Sequence, residues 1–124
     1  MKILATDMDG TFLDHLGAYD KARLENLLDA CEAEDYVFTV ASGRALLALE
    51  ELFDGFVDRI AIIAENGALV QYKGEVLFES KLEPRDYLEI ADTTLALPTC
   101  EGILLSGRRG AYAPNDADPA YLKA

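Results

Sequence analysis

The segment Ile3–Thr11 reads Ile-Leu-Ala-Thr-Asp-Met-Asp-Gly-Thr, a short apolar run that ends in two acids and a glycine. A continuous apolar run bounded by turn residues predicts a buried strand of the kind found in parallel sheets. Asp7 and Asp9 follow that strand directly, and open α/β sheets bind their ligands at the carboxyl ends of their strands. The segment therefore predicts both a strand and a polar site at its end.

Outward from this segment, apolar patterning predicts strands that alternate with helices. Asp20 is placed to cap a helix over residues 21–34, and a second helix is expected over 44–53. Strands rich in β-branched residues are expected over 36–41 and 60–64. This alternation predicts right-handed crossovers and an α/β fold, a Rossmann-like parallel sheet with flanking helices on both faces.

The pattern changes after residue 67, where turn residues and shorter apolar runs become frequent. Two hairpins and two helices are expected there: hairpins that turn at 73–74 and 107–110, and helices over 84–96 and 118–124. The change predicts a domain boundary near residues 81–84, with one domain over 1–82 and the start of an α+β domain over 83–124.

Composition excludes several classes of partner. The 124 residues carry 23 acids and 11 bases, a net charge of −12. No basic cluster offers a surface for nucleic acid or for an anionic membrane. No apolar run approaches the roughly 20 residues that span a bilayer, and the N-terminal segment lacks a signal-peptide core. These two observations lead us to expect a cytoplasmic protein. The two cysteines have no metal or redox spacing, and Cys31 falls on the apolar stripe of the first predicted helix, so we expect it to be a buried thiol.

The first acidic loop has the composition of a phosphoryl-transfer site. Two carboxylates this close repel each other unless a cation or a proton lies between them, and Mg²⁺ suits such oxygen ligands. Asp7 and Asp9 are therefore candidate metal ligands. One of them could attack phosphorus and the other could act as acid and then base, while Thr11 offers a hydroxyl and an N–H to phosphate. The alternative is an ordinary capped acidic turn; a calcium loop is disfavoured because its further ligands are missing.

Polar residues also follow the second and third predicted strands. Ser42 and Gly43 end the strand 36–41, where Ser42 is either a plain helix cap or part of an anion site. Arg44 is either a solvated helix residue or a second contact for an anion. Asn66 is either a turn residue or a polar group that lines the same cleft. Because parallel strands end at one edge of the sheet, all of these loops are expected to lie together.

Three segments of the chain resemble the haloacid dehalogenase superfamily, in particular the Cof-like phosphatases with a type IIB cap. They are Ile3–Leu13, Val40–Arg44 and Ile63–Ala68, in the order and spacing of that family. The resemblance also places the first hairpin and the segment after Lys81 at the opening of the cap. It implies a hydrolase that acts on sugar phosphates or related small phosphomonoesters.

The resemblance also assigns roles to individual residues. It implies that Asp7 is the nucleophile that accepts the phosphoryl group. Asp9 would protonate the leaving alcohol and then activate water, and its backbone carbonyl would bind Mg²⁺. Thr11 and Ser42, with Gly43 beside them, would hold the phosphoryl oxygens.

Two elements of the family, a lysine that steadies the nucleophile and a later acidic motif for Mg²⁺, do not occur in these 124 residues. We therefore expect an N-terminal portion of such a phosphatase, with weak Mg²⁺ binding and little turnover. We also expect the strand 3–6 to form a sheet edge through which the chain self-associates. The alternatives are a catalytically inactive binding or regulatory module, a phosphoacceptor signalling domain, and a phosphosugar mutase of the same superfamily.

Overall fold

A computed structural model describes residues 1–114 of the chain, which divide into a first unit, Met1–Ser80, and a second unit that begins at Lys81. The helix expected over 118–124 lies outside the described residues. The regular elements follow one another along the chain as β1 (Lys2–Asp7), α1 (Lys21–Ala33), β2 (Tyr36–Ala41), α2 (Leu46–Leu52), β3 (Ala61–Ala64), β4 (Leu69–Tyr72), β5 (Glu75–Glu79), α3 (Pro84–Leu95), β6 (Leu105–Gly107) and β7 (Gly110–Tyr112).

The first unit is built on a five-stranded sheet in the order β1-β2-β3-β4-β5. The strands β1, β2 and β3 run parallel, whereas β4 and β5 form an antiparallel hairpin. The predicted α/β class with a parallel sheet and flanking helices is confirmed. The hairpin, which the resemblance placed at the opening of the cap, instead extends this same sheet. Lys73 and Gly74 both have positive φ (51° and 79°), as the tight turn of a twisted hairpin requires.

Both helices of the first unit pack on one face of its sheet. Leu24 and Leu28 of α1 and Leu49 of α2 belong to one buried cluster with Val40 and Ile62 of the sheet. Successive right-handed crossovers that advance in the same direction place their helices on the same side. The expectation of helices on both faces is therefore wrong for residues 1–80.

The opposite face of this sheet remains partly open. Val37, Ile63 and Val70 are half-buried there, and Ile3 and Phe78 are 66% and 53% exposed. The register aligns Ile3 with Val37 in one apolar pair, and Val70 with both Ile63 and Phe78 in an apolar row across β3, β4 and β5.

The helix α1 matches its prediction closely. The Asp20 carboxylate caps the helix by accepting a hydrogen bond from the Arg23 N–H at 3.0 Å. Cys31 is buried on the inner face of the helix. Arg59 ties the outer face to the segment before β3, because its guanidinium donates to Asp29 at 2.7 Å and to Glu32 at 2.8 Å.

The second unit contains one helix and one short hairpin within its described residues. Pro84 occupies the first turn of α3, where its missing N–H costs nothing. The strands β6 and β7 pair across the turn at Arg108 and Arg109, so the second predicted hairpin is confirmed with shorter strands. Among residues 1–114, no helix has the length and apolar character needed to cross a membrane.

Replacement of Gln71 should stabilise the first unit. Gln71 is 2% exposed beside Ile62 in the core, and its Nε2 finds no hydrogen-bond partner among the described residues. A buried unsatisfied donor costs about 1–3 kcal/mol, so we expect Gln71→Met to raise the free energy of unfolding by about 1–2 kcal/mol. Urea titration followed by circular dichroism measures this. A loss of stability in Gln71→Met would mean that the amide has a partner.

The edge position of β1 predicts self-association. The Lys2 N–H donates to the backbone carbonyl of Asp35 at 2.9 Å, which shows that the even-numbered residues of β1 form the backbone hydrogen bonds to β2. The backbone N–H and C=O groups of the odd-numbered residues therefore point away from β2. Unpaired groups on an apolar edge invite a second chain. We expect the average mass measured by analytical ultracentrifugation to rise with protein concentration. The substitution Ile3→Lys should make this rise smaller. Leu16→Lys, on an exposed loop residue, is the control; a monomer at all concentrations would contradict the prediction.

Candidate active site

The carboxyl ends of β1, β2 and β3 lie level at one edge of the sheet. Asp7 pairs with Ala41 in the β1–β2 ladder, and Ala41 pairs with Ile63 in the β2–β3 ladder. The loops that follow these strands carry all of the residues singled out in the sequence. The parallel register therefore brings three separate segments of the chain to one place.

The first loop is anchored to the core by the Met8 side chain at one end and by the Phe12 ring at the other. Met8 is fully buried, and its carbonyl accepts the Leu13 N–H at 3.0 Å, which closes a helical turn over Met8–Phe12. Gly10 has φ 76° inside this turn, a conformation that glycine adopts without strain.

The Phe12 ring secures the other end of this loop. It lies 5.4 Å from the Tyr19 ring, 5.6 Å from that of Phe38 and 6.0 Å from that of Phe53. The polar side chains of the loop are exposed, although its backbone is fixed to the core.

Asp7 itself ends β1 with one carboxylate oxygen already engaged. Its Oδ1 accepts the Met8 N–H at 2.7 Å, which orients the carboxylate. Because the residue is exposed, the other oxygen, Oδ2, is the one available to a ligand.

Asp9 and Arg44 form a two-pronged ion pair between the first and second loops. The Arg44 Nε donates to Oδ2 of Asp9 at 3.0 Å, and Nη2 donates to Oδ1 at 2.5 Å. This hydrogen bonding lowers the pKa of Asp9 from its ordinary value and raises the pKa of Arg44. The sequence identified both residues but not their pairing; the alignment of β1 with β2 is the signal that could have indicated it.

Ser42 does not cap the second helix. The helix α2 begins at Leu46, with Ala45 at its cap position and no side-chain cap. The Ser42 Oγ instead accepts the Arg44 N–H at 3.1 Å. The helix starts later than predicted because the Arg44 carbonyl accepts a hydrogen bond from Glu65, in the third loop, at 3.1 Å.

The second and third loops are joined by backbone hydrogen bonds. Ser42 donates its N–H to Ile63 at 2.9 Å, and its carbonyl accepts the Asn66 N–H at 3.1 Å. The Asn66 side chain lies against Gly43, where an added Cβ would come within 2.9 Å of the amide oxygen. Only glycine fits at position 43 without a shift of Asn66.

The third loop has an unusual backbone. Glu65, Asn66 and Gly67 have φ values of 53°, 55° and 97° in succession. Two non-glycine residues in this region store strain that the surrounding hydrogen bonds must hold, and such strain clusters at functional sites. Glu65 was not among the candidates from the sequence.

Thr11 is the one candidate that these contacts do not join to the other loops. It is exposed and lines a groove of about 670 Å³ between its own loop and α1, together with Tyr19 and Arg23. The structure thus brings together Asp7, Asp9, Ser42, Gly43, Arg44 and Asn66, and places Thr11 beside them on the first loop.

The described residues offer few ligands to a metal ion. They contain no group of three or more acidic, histidine or cysteine side chains that could hold one. Both side-chain oxygens of Asp9 are engaged by Arg44, whereas the Asp7 carboxylate has its Oδ2 available to a metal ion. Mg²⁺ fits such a partial set, because it keeps several waters and takes one or two carboxylates together with substrate phosphate.

The sequence matches the profile of the haloacid dehalogenase-like hydrolases over residues 4–123. It is also similar to the 5-amino-6-(5-phospho-D-ribitylamino)uracil phosphatase YbjI of Escherichia coli (strain K12). The two are 32% identical over 120 residues, which make up 97% of this chain and 44% of that protein.

Solved structures give the same result. SMU.1108c from Streptococcus mutans UA159 superimposes with a TM-score of 0.88 at 31% identity, over 98% of this chain and 46% of that one. The HAD subclass IIB sugar phosphatase BT4131 shares the fold, with a TM-score of 0.63 at 23% identity over 94% and 45% of the two chains. The chain thus spans less than half the length of these relatives. The resemblance seen in the three motifs is confirmed, and the chain belongs to the haloacid dehalogenase-like hydrolase family.

Proposed function

We propose that this protein is a phosphohydrolase that cleaves small phosphomonoesters through an aspartyl-phosphate on Asp7. The observation that carries the proposal is the paired placement of Asp7 and Asp9 on an anchored loop at the carboxyl end of β1. One Asp7 oxygen is held by the Met8 N–H, which leaves Oδ2 to attack phosphorus. The family match supports a hydrolase.

The two carboxylates divide the chemistry between them. In the first step the Asp7 Oδ2 forms a bond to phosphorus as the bond to the alcohol oxygen breaks, and Asp9 gives that oxygen a proton. In the second step water attacks the phosphorus, Asp9 takes its proton, and inorganic phosphate leaves Asp7. Arg44 lowers the pKa of Asp9 and so favours its ionised form, the form that can take a proton in the second step. A bound phosphoryl group favours the protonated form that the first step needs, since nearby negative charge raises a carboxyl pKa.

Mg²⁺ is the proposed cofactor, held by the Asp7 carboxylate and the Asp9 backbone carbonyl. The ion would offset the negative charge of the phosphoryl group beside two acids in a chain of net charge −12. Ser42, Gly43 and Thr11 are the proposed phosphate contacts, and Arg44 and Asn66 are proposed to line the cleft. The fixed second and third loops support a preformed anion site at this edge.

The proposed substrates are sugar phosphates or related small phosphorylated metabolites. The E. coli relative is named a 5-amino-6-(5-phospho-D-ribitylamino)uracil phosphatase, and BT4131 a sugar phosphatase. We further propose a core domain over residues 1–82 and the start of a cap over 83–124, and the cytoplasm stays the predicted compartment. An inactive binding module is the second candidate, favoured by the small number of metal ligands within residues 1–114.

Loss of the nucleophile should abolish phosphoryl transfer. We expect the chain, incubated with Mg²⁺ and acetyl phosphate, to gain one phosphoryl group by intact-mass spectrometry, and Asp7→Asn to gain none. Turnover of a phosphate-ester panel by a longer form of the protein should fall by about 10³-fold or more in Asp7→Asn. Asp58→Asn, an exposed acid outside the site, is the matched control. Phosphorylation of Asp7→Asn to the same extent would contradict the role of Asp7.

The 124-residue chain should bind Mg²⁺ weakly and turn over slowly, because metal affinity follows the number of ligands. Isothermal titration with MgCl₂ should give a weak binding curve that disappears in Asp7→Asn and persists in Asp58→Asn. Tight binding of Mg²⁺, or fast hydrolysis by the 124-residue chain that Asp7→Asn abolishes, would contradict this expectation.

A further inference from the structure

We propose that Arg44 is a positioning residue for Asp9, and that Asn66 holds the loop that presents Arg44. The proposal rests on the phosphohydrolase function above, in which Asp9 is the acid and base. It assigns a role to the ion pair between Asp9 and Arg44, which joins the first and second loops. No single sequence motif accounts for this pair, because its two residues belong to different motifs.

The first step is the geometry of the ion pair. Nε and Nη2 of Arg44 reach the two different oxygens of Asp9 at 3.0 and 2.5 Å. A planar guanidinium that donates two parallel hydrogen bonds fixes the plane of the carboxylate as well as its distance. Asp9 is 64% exposed and has no other hydrogen bond from a side chain among those described, so this pairing is what orients it.

The second step is the support of Arg44 itself. Its N–H donates to the Ser42 Oγ at 3.1 Å, and its carbonyl accepts from Glu65 at 3.1 Å. Hydrogen bonds therefore hold both the backbone N–H and the backbone carbonyl of Arg44. The arginine reaches Asp9 from a backbone that cannot rotate freely.

The third step leads from that backbone to Asn66. The Asn66 N–H donates to the Ser42 carbonyl at 3.1 Å. Its side-chain oxygen and nitrogen would lie 2.9 and 3.2 Å from a Cβ at Gly43, so the amide covers that glycine closely. Asn66 keeps this place with φ 55°, a conformation that asparagine tolerates better than most residues.

These contacts form one connected series from β3 to β1: Asn66 packs on Gly43, Ser42 supports Arg44, and Arg44 orients Asp9. A catalytic carboxylate on an exposed loop gains from such fixing, because misplacement by about 1 Å can cost 10²-fold in rate. A lysine at position 44 would supply the charge without the fork, and so would not fix the carboxylate plane.

The first test needs no turnover. In the ¹⁵N-labelled chain, we expect the Arg44 Nε–H to exchange slowly with water and to give a distinct NMR signal, identified by its loss in Arg44→Lys. Asp9→Asn should abolish the slow exchange. Asn66→Ala and Gly43→Ala, which disturb the same contact from opposite sides, should speed the exchange several-fold. Arg59→Lys is the matched control, since Arg59 also donates to two carboxylates but precedes β3, whereas the site follows the carboxyl end of that strand.

The second test separates positioning from simple structural support. In a longer, active form of the protein, Arg44→Lys should lower kcat/KM for an alkyl phosphate at least about tenfold more than for p-nitrophenyl phosphate. The alkyl leaving group needs a proton from Asp9, and the nitrophenolate does not. Arg59→Lys should affect both substrates equally and slightly.

The outcomes test the positioning role of Arg44 separately from the proposed phosphohydrolase function. The positioning role is overturned if Arg44→Lys lowers kcat/KM equally for both substrates. It is also overturned if Asp9→Asn leaves the exchange rate of the Arg44 Nε–H unchanged. An Arg44 signal that is unchanged in both Asn66→Ala and Gly43→Ala overturns the part assigned to Asn66. If the longer form without substitutions hydrolyses neither ester, the proposed function fails. The NMR experiment on the 124-residue chain then still shows whether Arg44 orients Asp9.

Discussion

The parallel ladder between β1 and β2 is the interaction on which the candidate site depends. Its register sets Asp7 beside Ala41, and so fixes the distance between the loop that carries Asp9 and the loop that carries Arg44. A shift of one residue would turn every side chain of β1 to the other face and separate the two loops. The buried Met8 side chain and the half-buried Phe12 ring hold the first loop to this register, because both pack against the core below it.

The same ladder explains why the first unit has one covered and one open face. Two right-handed crossovers in the same direction put α1 and α2 together over Phe38, Val40 and Ile62. The other face keeps Ile3 and Phe78 exposed, and within residues 1–114 no strand pairs with the outer side of β1. The core and the candidate site therefore need only one side of the sheet.

Charge at the site is more balanced than the composition suggests. An excess of acids is unfavourable for a phosphate ligand, yet Arg44 already neutralises Asp9 in the described structure. The backbone N–H groups of Ser42, Glu65 and Asn66 hold the second and third loops in place. The exposed Asp7 carboxylate adds negative charge at the edge, and it is the group that the proposed Mg²⁺ would offset.

The sequence by itself determined the strands, the helix α1 with its Asp20 cap, the Lys73-Gly74 turn and the acidic loop, because each depends on local periodicity or on residues a few positions apart. The sequence did not determine the late start of α2, the shared face of the two helices, the Asp9–Arg44 pair or the contact of Asn66 with Gly43. Those depend on strand register and crossover direction, which join residues up to 35 positions apart. Only the tertiary structure decides such contacts, since no local signal specifies which loops meet.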